Sequence, residues 1–184
     1  MDKTTELSKF IALILRHQPS AAGIELDQHG WANVNDMIDG INATGKFYIN
    51  RDILDEIVRT DNKQRYAYDE SRAHIRARQG HSVKVDVGLA EMTPPEYLWH
   101  GTAEKYVEKI DEEGLLPKGR LYVHLSTSVS TARTVGKRHG KPVLYRVRSG
   151  EMVKDGFKFY RSENKVWLTE HVPKQYLEKC VEED

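Results

Sequence analysis

Arginine and histidine recur at four separate places in this 184-residue chain. Arg16-His17 closes an apolar-periodic segment, and Arg65 stands just ahead of a Tyr-Ala-Tyr run. His100-Gly101-Thr102 lies between an apolar run and an amphipathic one, and Arg120 precedes His124-Leu125-Ser126. A guanidinium keeps its charge and pairs bidentately with phosphate oxygens, while an imidazole can give or accept a proton near neutral pH. These places show no neighbouring carboxylate set aside as a partner. The set therefore reads as equipment for holding phosphates and stabilising an anionic transition state, not for hydrolysis by a pair of carboxylates. Gly101 would let backbone approach a ligand, and a helix beginning there would aim N–H groups at phosphate. Each place also has a plain structural use. Arg16 and His17 complement the negative end of a helix dipole, and Arg65 is an ordinary surface residue. His100–Thr102 is a strand-to-helix turn, and His124 is a satisfied core histidine.

Other chemistries are excluded by what is missing. No GxxxxGK[ST] loop, GxGxxG fingerprint, HExxH pair or GxSxG elbow occurs in the chain. That argues against common nucleotide hydrolases, a standard dinucleotide fold, zinc proteases and serine hydrolases. The one cysteine, Cys180, cannot form an internal disulfide or build a Cys-based zinc site. No His/carboxylate cluster has ligand spacing, so no metal is expected. With 28 Lys/Arg against 28 Asp/Glu the net charge is zero, which argues against a bulk polycation. The charge is nevertheless uneven. Eight basic and no acidic residues lie between 114 and 150, and seven basic against three acidic between 59 and 84. Acids collect elsewhere, at 108–113 and in the Glu182-Glu183-Asp184 tail. No apolar run approaches the roughly 18 residues of a membrane span, so no membrane partner is expected. The opening MDKTTELSKF is polar and unlike a secretory signal; a cytoplasmic location and a monomer are the expectations.

The elements that must position these residues follow from hydrophobic periodicity. Apolar positions from Leu7 to Leu15 predict a helix over 5–16, ended by Gln18-Pro19. Ile24 and Leu26 alternate with polar neighbours, and Asp27–Gly30 reads as a turn into Trp31. Asn33 or Asn35 caps a helix carrying Met37, Ile38 and Ile41, and Asn50 caps one carrying Ile53, Leu54, Ile57 and Val58. The runs 65–68 and 74–77 read as a hairpin. Three helices followed by a hairpin is the order of a winged helix. Thr93-Pro94-Pro95 is the boundary candidate, giving domains 1–92 and 93–184. Beyond it, strands are predicted at 97–100, 121–125, 143–147, 166–168 and 177–181. Helices are predicted at 103–113, closed by Gly114, and at 128–137. The fold class is α+β, with a helical lobe followed by a mostly β lobe.

In their order and spacing these segments resemble the RNA 2′-phosphotransferase family of the KptA type. The resemblance is carried by LRH at 15–17, Asp27 with Gly30-Trp31, Arg65, and IRARQGHS at 75–82. It continues through TPPEYLWHGT at 93–102, GRLYVHLS at 119–126, TARTVGKRHGKPV at 131–143 and SENKVWLT at 162–169. It implies an N-terminal winged-helix RNA lobe and a C-terminal NAD lobe related to ADP-ribosyltransferases. The implied reaction removes an internal 2′-phosphate from RNA, with NAD as co-substrate. An ADP-ribosylated RNA 2′-phosphate is the intermediate. The products are 2′-hydroxyl RNA, nicotinamide and ADP-ribose 1″,2″-cyclic phosphate.

By the same resemblance Arg16, His17, Arg65 and Arg120 form the catalytic tetrad. His100, Gly101, Thr102, His124, Ser126 and Val166 bind NAD, and Arg76, Gln79 and His81 bind RNA. Val166 falls where many ADP-ribosyltransferases carry a glutamate. A phosphate nucleophile is already anionic and needs no general base, which accounts for an apolar residue there. The chain departs from the family at Lys165, where glycine is usual, so either the turn is unstrained or Asn164 takes the special conformation. Two other readings are an ADP-ribosyltransferase acting on nucleic-acid ends and a non-enzymatic winged-helix regulator. The regulator would need most of its basic surface in the first lobe, whereas the strongest basic run lies in the second.

Overall fold

The computed structural model describes residues 3–180. The expected strand end at Val181 and the acidic tail 182–184 lie outside the described residues. The chain divides into two compact units, 1–88 and 89–184, each with its own apolar core. The division falls four residues ahead of the expected boundary. Ala90–Glu91 pair with Tyr160–Arg161, which draws those residues into the second unit's sheet.

In the first unit α1 (Lys3–Arg16) buries Leu7, Phe10, Ile11, Ile14 and Leu15 on one face. A 3-10 turn at Pro19–Ala22 follows. The alternation at Ile24 and Leu26 does not become a strand; Ile24 is simply a core side chain of an irregular loop. β1 (Trp31–Asn33) leads into α2 (Val34–Ala43), whose cap is Asn33: its Oδ1 accepts from the N–H groups of Asn35 and Asp36. α3 (Arg51–Thr60) is capped by Asn50, which accepts from Ile53 N–H at 3.0 Å. β2 (Tyr66–Tyr68) and β3 (His74–Ala77) form the expected hairpin. β1 adds to its far side, giving a three-stranded antiparallel sheet in the order β1-β3-β2.

The second unit holds two further antiparallel sheets. The first has the order β10-β7-β5, built from β5 (Leu98–Ala103), β7 (Pro142–Val147) and β10 (Leu177–Cys180). The second has the order β4-β8-β9-β6, built from β4 (Ala90–Glu91), β6 (Val123–Leu125), β8 (Tyr160–Arg161) and β9 (Trp167–Thr169). An isolated antiparallel bridge links them: Trp99 and Ser126 exchange two main-chain hydrogen bonds of 2.8 and 2.9 Å. The helices are α4 (Val107–Glu113), α5 (Val129–Gly136, capped by Ser128) and α6 (Ser149–Lys154).

One expectation fails here. The helix expected from Ala103 does not begin there, and the strand expected to end at His100 runs on: β5 pairs with β7 from Leu98↔Val147 to Ala103↔Pro142, and those ladder bonds hold the segment extended. The helical part starts later, as a 3-10 turn at Glu104–Tyr106 ahead of α4.

Candidate functional site

The first unit builds a basic site around the C-terminus of α1. The helix ends at Arg16, whose carbonyl accepts from Ser82 N–H at 2.9 Å and from Val83 N–H at 3.3 Å. The segment following the hairpin is thereby tied to the helix end. His17 Nδ1 lies 2.9 Å from Ser82 Oγ, 65 positions away in sequence. Gly80 adopts φ +90°, and a Cβ there would lie 3.5 Å from the Arg16 guanidinium carbon. A side chain would thus be strained by the backbone conformation, though it would only touch Arg16 at ordinary contact distance.

His81 is only 3% exposed, and its Nε2 has no hydrogen-bond partner among the described residues. Burial first, then the positive charges of Arg16, His17 and Arg76, push its pKa down to about 4. It is therefore a neutral imidazole among cations at working pH. Arg76 sits directly across the β1–β3 ladder from Trp31, with its guanidinium carbon 4.5 Å from the indole centroid. Gln79 is half-buried in the same segment.

Arg65 joins this region through the hairpin. Its carbonyl accepts from Arg78 N–H at 2.8 Å, and Tyr66, next to it, is buried with its hydroxyl donating to the Ser8 carbonyl at 2.7 Å. Burial raises the Tyr66 pKa most, and the Arg16 and Arg65 charges both oppose that rise. Both guanidinium charges thus act on one hydroxyl. Three of the four expected tetrad residues, Arg16, His17 and Arg65, belong to this unit.

The expectation that the basic places stand apart from carboxylates fails at Arg65. Its guanidinium forms an ion pair with Asp61, which also accepts from Arg65 N–H at 2.5 Å. The chain turns at the end of α3, and Asp61, the residue capping that end, folds its carboxylate back onto a residue four positions on. Asp61, Gly80 and Ser82 are the participants that residue-type reasoning passed over. Gly80 and Ser82 lie inside the 75–82 segment singled out above, but their contact with α1 has no local signal.

The second unit fixes two histidines by main-chain carbonyls. His100 Nδ1 is 3.1 Å from the His124 carbonyl, and His124 Nδ1 is 3.1 Å from the Tyr122 carbonyl. A carbonyl only accepts, so each Nδ1 carries the proton and Nε2 is the acceptor in the neutral ring. The His100 pKa is lowered, chiefly by burial and slightly by the Lys118 charge, against a smaller raising by its bond to the His124 carbonyl. Ser126 Oγ accepts from Ser128 N–H at 3.0 Å and so shapes the turn into α5.

Gly101 has a packing reason. A Cβ there would fall 1.7 Å from the Ala132 carbonyl oxygen of α5, and one on Gly136 would fall 2.6 Å from the Thr102 carbonyl oxygen. The two glycines let helix and strand backbones touch, and Thr102 is buried in that contact. Val166 is held by its own turn: its N–H donates to Ser162 Oγ at 3.0 Å and its carbonyl accepts from Ser162 N–H at 3.0 Å. Lys165 itself takes the left-handed conformation, φ +65°. The turn keeps the geometry that suits glycine, and lysine bears the strain; Asn164 does not take that position.

Arg120 is exposed overall, and it makes no ion pair among the described residues. Desolvation of its head and then the Arg138 charge lower its pKa below the ordinary arginine value, which still leaves it cationic. Among the described residues no three His, Cys, Asp or Glu side chains gather at metal-ligand spacing. No described helix is long and apolar enough to cross a membrane.

A two-unit α+β chain with a cation-rich site on its helical unit and, on its β-rich unit, two histidines each held through Nδ1 by a main-chain carbonyl carries groups that suit phosphorylated ligands. Comparison with known proteins narrows this. A family model described as RNA 2′-phosphotransferase, Tpt1 / KptA family, matches residues 2–171. A relative from Flavobacterium johnsoniae, named "Probable RNA 2'-phosphotransferase", is 49% identical over 172 residues, 94% of each chain. One of the same name from Acaryochloris marina is 46% identical over 93% of this chain and 94% of its own. One from Fusobacterium nucleatum is 44% identical over 96% and 99%. The chain belongs to the RNA 2′-phosphotransferase family, a family of transferases.

Proposed function

We infer that the protein is an NAD-dependent RNA 2′-phosphotransferase that removes an internal 2′-phosphate from RNA in two steps. In the first, an oxygen of the RNA 2′-phosphate bonds to the anomeric carbon of the nicotinamide ribose. The bond from that carbon to nicotinamide breaks, and nicotinamide leaves with the electron pair. In the second, the neighbouring ribose 2″-hydroxyl loses its proton and attacks phosphorus. The bond from phosphorus to the RNA 2′-oxygen breaks, and that oxygen takes up a proton. The products are 2′-hydroxyl RNA and ADP-ribose 1″,2″-cyclic phosphate.

The observation that carries this reading is the meeting of Arg16 and His17 with the Gly80–Ser82 segment in a chain of this family. Arg16, Arg65 and Arg120 stabilise the charge that gathers on phosphate oxygens in the second step. His17, whose Nδ1 is engaged by Ser82, presents Nε2 to the departing RNA oxygen as the proton donor. Arg76, Gln79 and the neutral His81 contact the RNA around the phosphate. His100 offers the lone pair of Nε2 to a ribose hydroxyl of NAD, because its Nδ1 proton is already given to a carbonyl. His124, Ser126, Gly101, Thr102 and Val166 form the rest of that pocket. The first unit serves as a winged-helix RNA lobe and the second as an ADP-ribosyltransferase-like NAD lobe. The enzyme works as a cytoplasmic monomer and needs no metal, since guanidinium groups carry the phosphate charge; activity persists in EDTA.

The test is NAD consumption measured with 2′-phosphorylated and unphosphorylated RNA of one sequence. The expected result is nicotinamide release that requires the internal 2′-phosphate and yields 2′-hydroxyl RNA. Release that requires only a phosphorylated end points instead to an ADP-ribosyltransferase. RNA binding with no release points to a regulator.

A further inference from the structure

The second unit gathers cations at one end of β5 that the proposed chemistry leaves unused. The Trp99–Ser126 bridge is antiparallel, so the chain read backward from Ser126 runs the way β5 runs forward. β6 therefore runs back toward the Ala103 end of β5, and Arg120 precedes it by three residues. The 3-10 turn Lys137–His139 comes to the same end by a different route. α5 crosses β5 at the Gly101 and Gly136 contacts. A Cβ on Gly140 would lie 3.6 Å from Ala103 Cβ, and Glu104 N–H donates to the Lys141 carbonyl at 2.9 Å. The mutual repulsion of Arg120 and Arg138 agrees with this placement.

The acid on the same turn is already taken, because Glu104 pairs with Lys141 at 3.4 Å. Lys137 and Arg138 are exposed and make no ion pair among the described residues. Lys118, held at φ +53°, reaches the Tyr106 ring at 5.0 Å. Exposed cations spread along an edge, with Lys137 and Arg138 in no ion pair among the described residues, suit a chain of solvated phosphates. A single enclosed diphosphate would ask for fewer and better-buried groups.

We propose that the ledge formed by Lys137, Arg138 and Lys118 beside Arg120 is a second contact surface for the RNA backbone, carried by the β-rich unit. It grips phosphates that flank the reacting nucleotide. RNA recognition is therefore not confined to the helical unit, and longer RNAs bind more tightly than short ones. This rests on the RNA 2′-phosphotransferase reading for the identity of the ligand.

The experiment compares a 2′-phosphorylated trinucleotide with a 2′-phosphorylated single strand of about twelve nucleotides. Binding is read by fluorescence anisotropy against salt, and turnover by KM for RNA and for NAD. The variants are Lys137→Ala/Arg138→Ala, the charge reversal Lys137→Glu/Arg138→Glu, and Lys154→Ala/Lys174→Ala as an equal loss of exposed charge elsewhere on the unit. The ledge variant is expected to bind the long RNA roughly tenfold more weakly, with its log–log salt slope reduced by about 1.4 for two contacts. The charge reversal is weaker still. The control pair, the trinucleotide and the NAD KM should not change. A raised NAD KM with unchanged RNA binding would assign the cluster to the NAD diphosphate and overturn the proposal. Unchanged binding of the long RNA, or equal loss with the control pair, overturns it too. A wild type without turnover on either RNA sinks the 2′-phosphotransferase reading alone, because anisotropy still reports whether the ledge holds the strand.

Discussion

The two units immobilise their polar side chains by different means. In the helical unit the site is an assembly of charges: Arg16, His17 and Arg76 act on a buried imidazole, Arg16 and Arg65 act on the buried Tyr66, and the distant Gly80–Ser82 segment is drawn in by main-chain and side-chain hydrogen bonds. In the β-rich unit, His100 and His124 each give Nδ1 to a main-chain carbonyl, and helix α5 lies so close to β5 that only glycine fits at two points. The first arrangement suits an incoming anion because it concentrates guanidinium groups, one of which, Arg65, Asp61 already holds. The second fixes ring orientation and tautomer, leaving Nε2 as the acceptor of the neutral ring. Charge in one unit is matched by rigid geometry in the other.

The largest test of that contrast is Gly101→Ala. A Cβ at 1.7 Å from a helix carbonyl oxygen cannot be relieved by a rotamer change, so α5 must separate from β5. We expect a loss above about 3 kcal/mol, confined to the second unit. Amide spectra should show residues of the first unit still dispersed while those of β5 and β7 collapse. A fully folded variant would show that the close approach is not what holds α5.

Next in size are the charged groups. Arg16→Ala, Arg65→Ala and His17→Ala should each slow the second step by about 10²–10³, or 3–4 kcal/mol, and slow the first far less. The ADP-ribosylated RNA should then accumulate as a slower-migrating band. His100→Ala should depress both steps together and raise the NAD KM. If every variant blocked nicotinamide release with nothing trapped, the division of labour between the units would fall.

His81 separates the units by pH. Its pKa in the folded chain, about 4, lies below the ordinary value of 6.5, so the unfolded chain binds the extra proton more readily. The stabilisation from the neutral ring is present above pH 6.5 and is lost progressively as pH falls toward 4, by up to about 3 kcal/mol. Denaturant titrations across that range should show the acid loss in the first unit. His81→Asn should flatten it, and an unaltered slope in the variant would remove His81 as its cause.

The smallest expected effect is in the second unit's 162–166 turn. Lys165→Gly should raise stability by about 1 kcal/mol, because glycine occupies φ +65° without the Cβ penalty. A thermal melt that fell would mean that the lysine stem makes compensating contacts.

Much of this architecture was legible in the sequence because it is set locally. The face of α1, the Asn33 and Asn50 caps, the 74–77 hairpin strand and helix α5 all follow from periodicity and side-chain-to-backbone bonds a few residues apart. The elements missed were short or decided at a distance. α6 spans six residues, β4 and β8 two each, and β1 is a strand only because β3 pairs with it. The continuation of β5 from Gly101 to Ala103 has no local signal, because its pairing partner, Pro142–Val147, lies about forty residues on. The sequence by itself determined which residue types are available: arginines and histidines at four places, a glycine within β5, and a lysine where glycine is usual. Only the tertiary structure decided that Ser82 holds His17, that Asp61 holds Arg65, that His81 is buried neutral among cations, and that Gly101 serves helix packing. The reason is common to all four. Hydrogen-bond partners, desolvation and steric room are properties of what folding brings alongside a residue, and a side chain's type does not encode its neighbours.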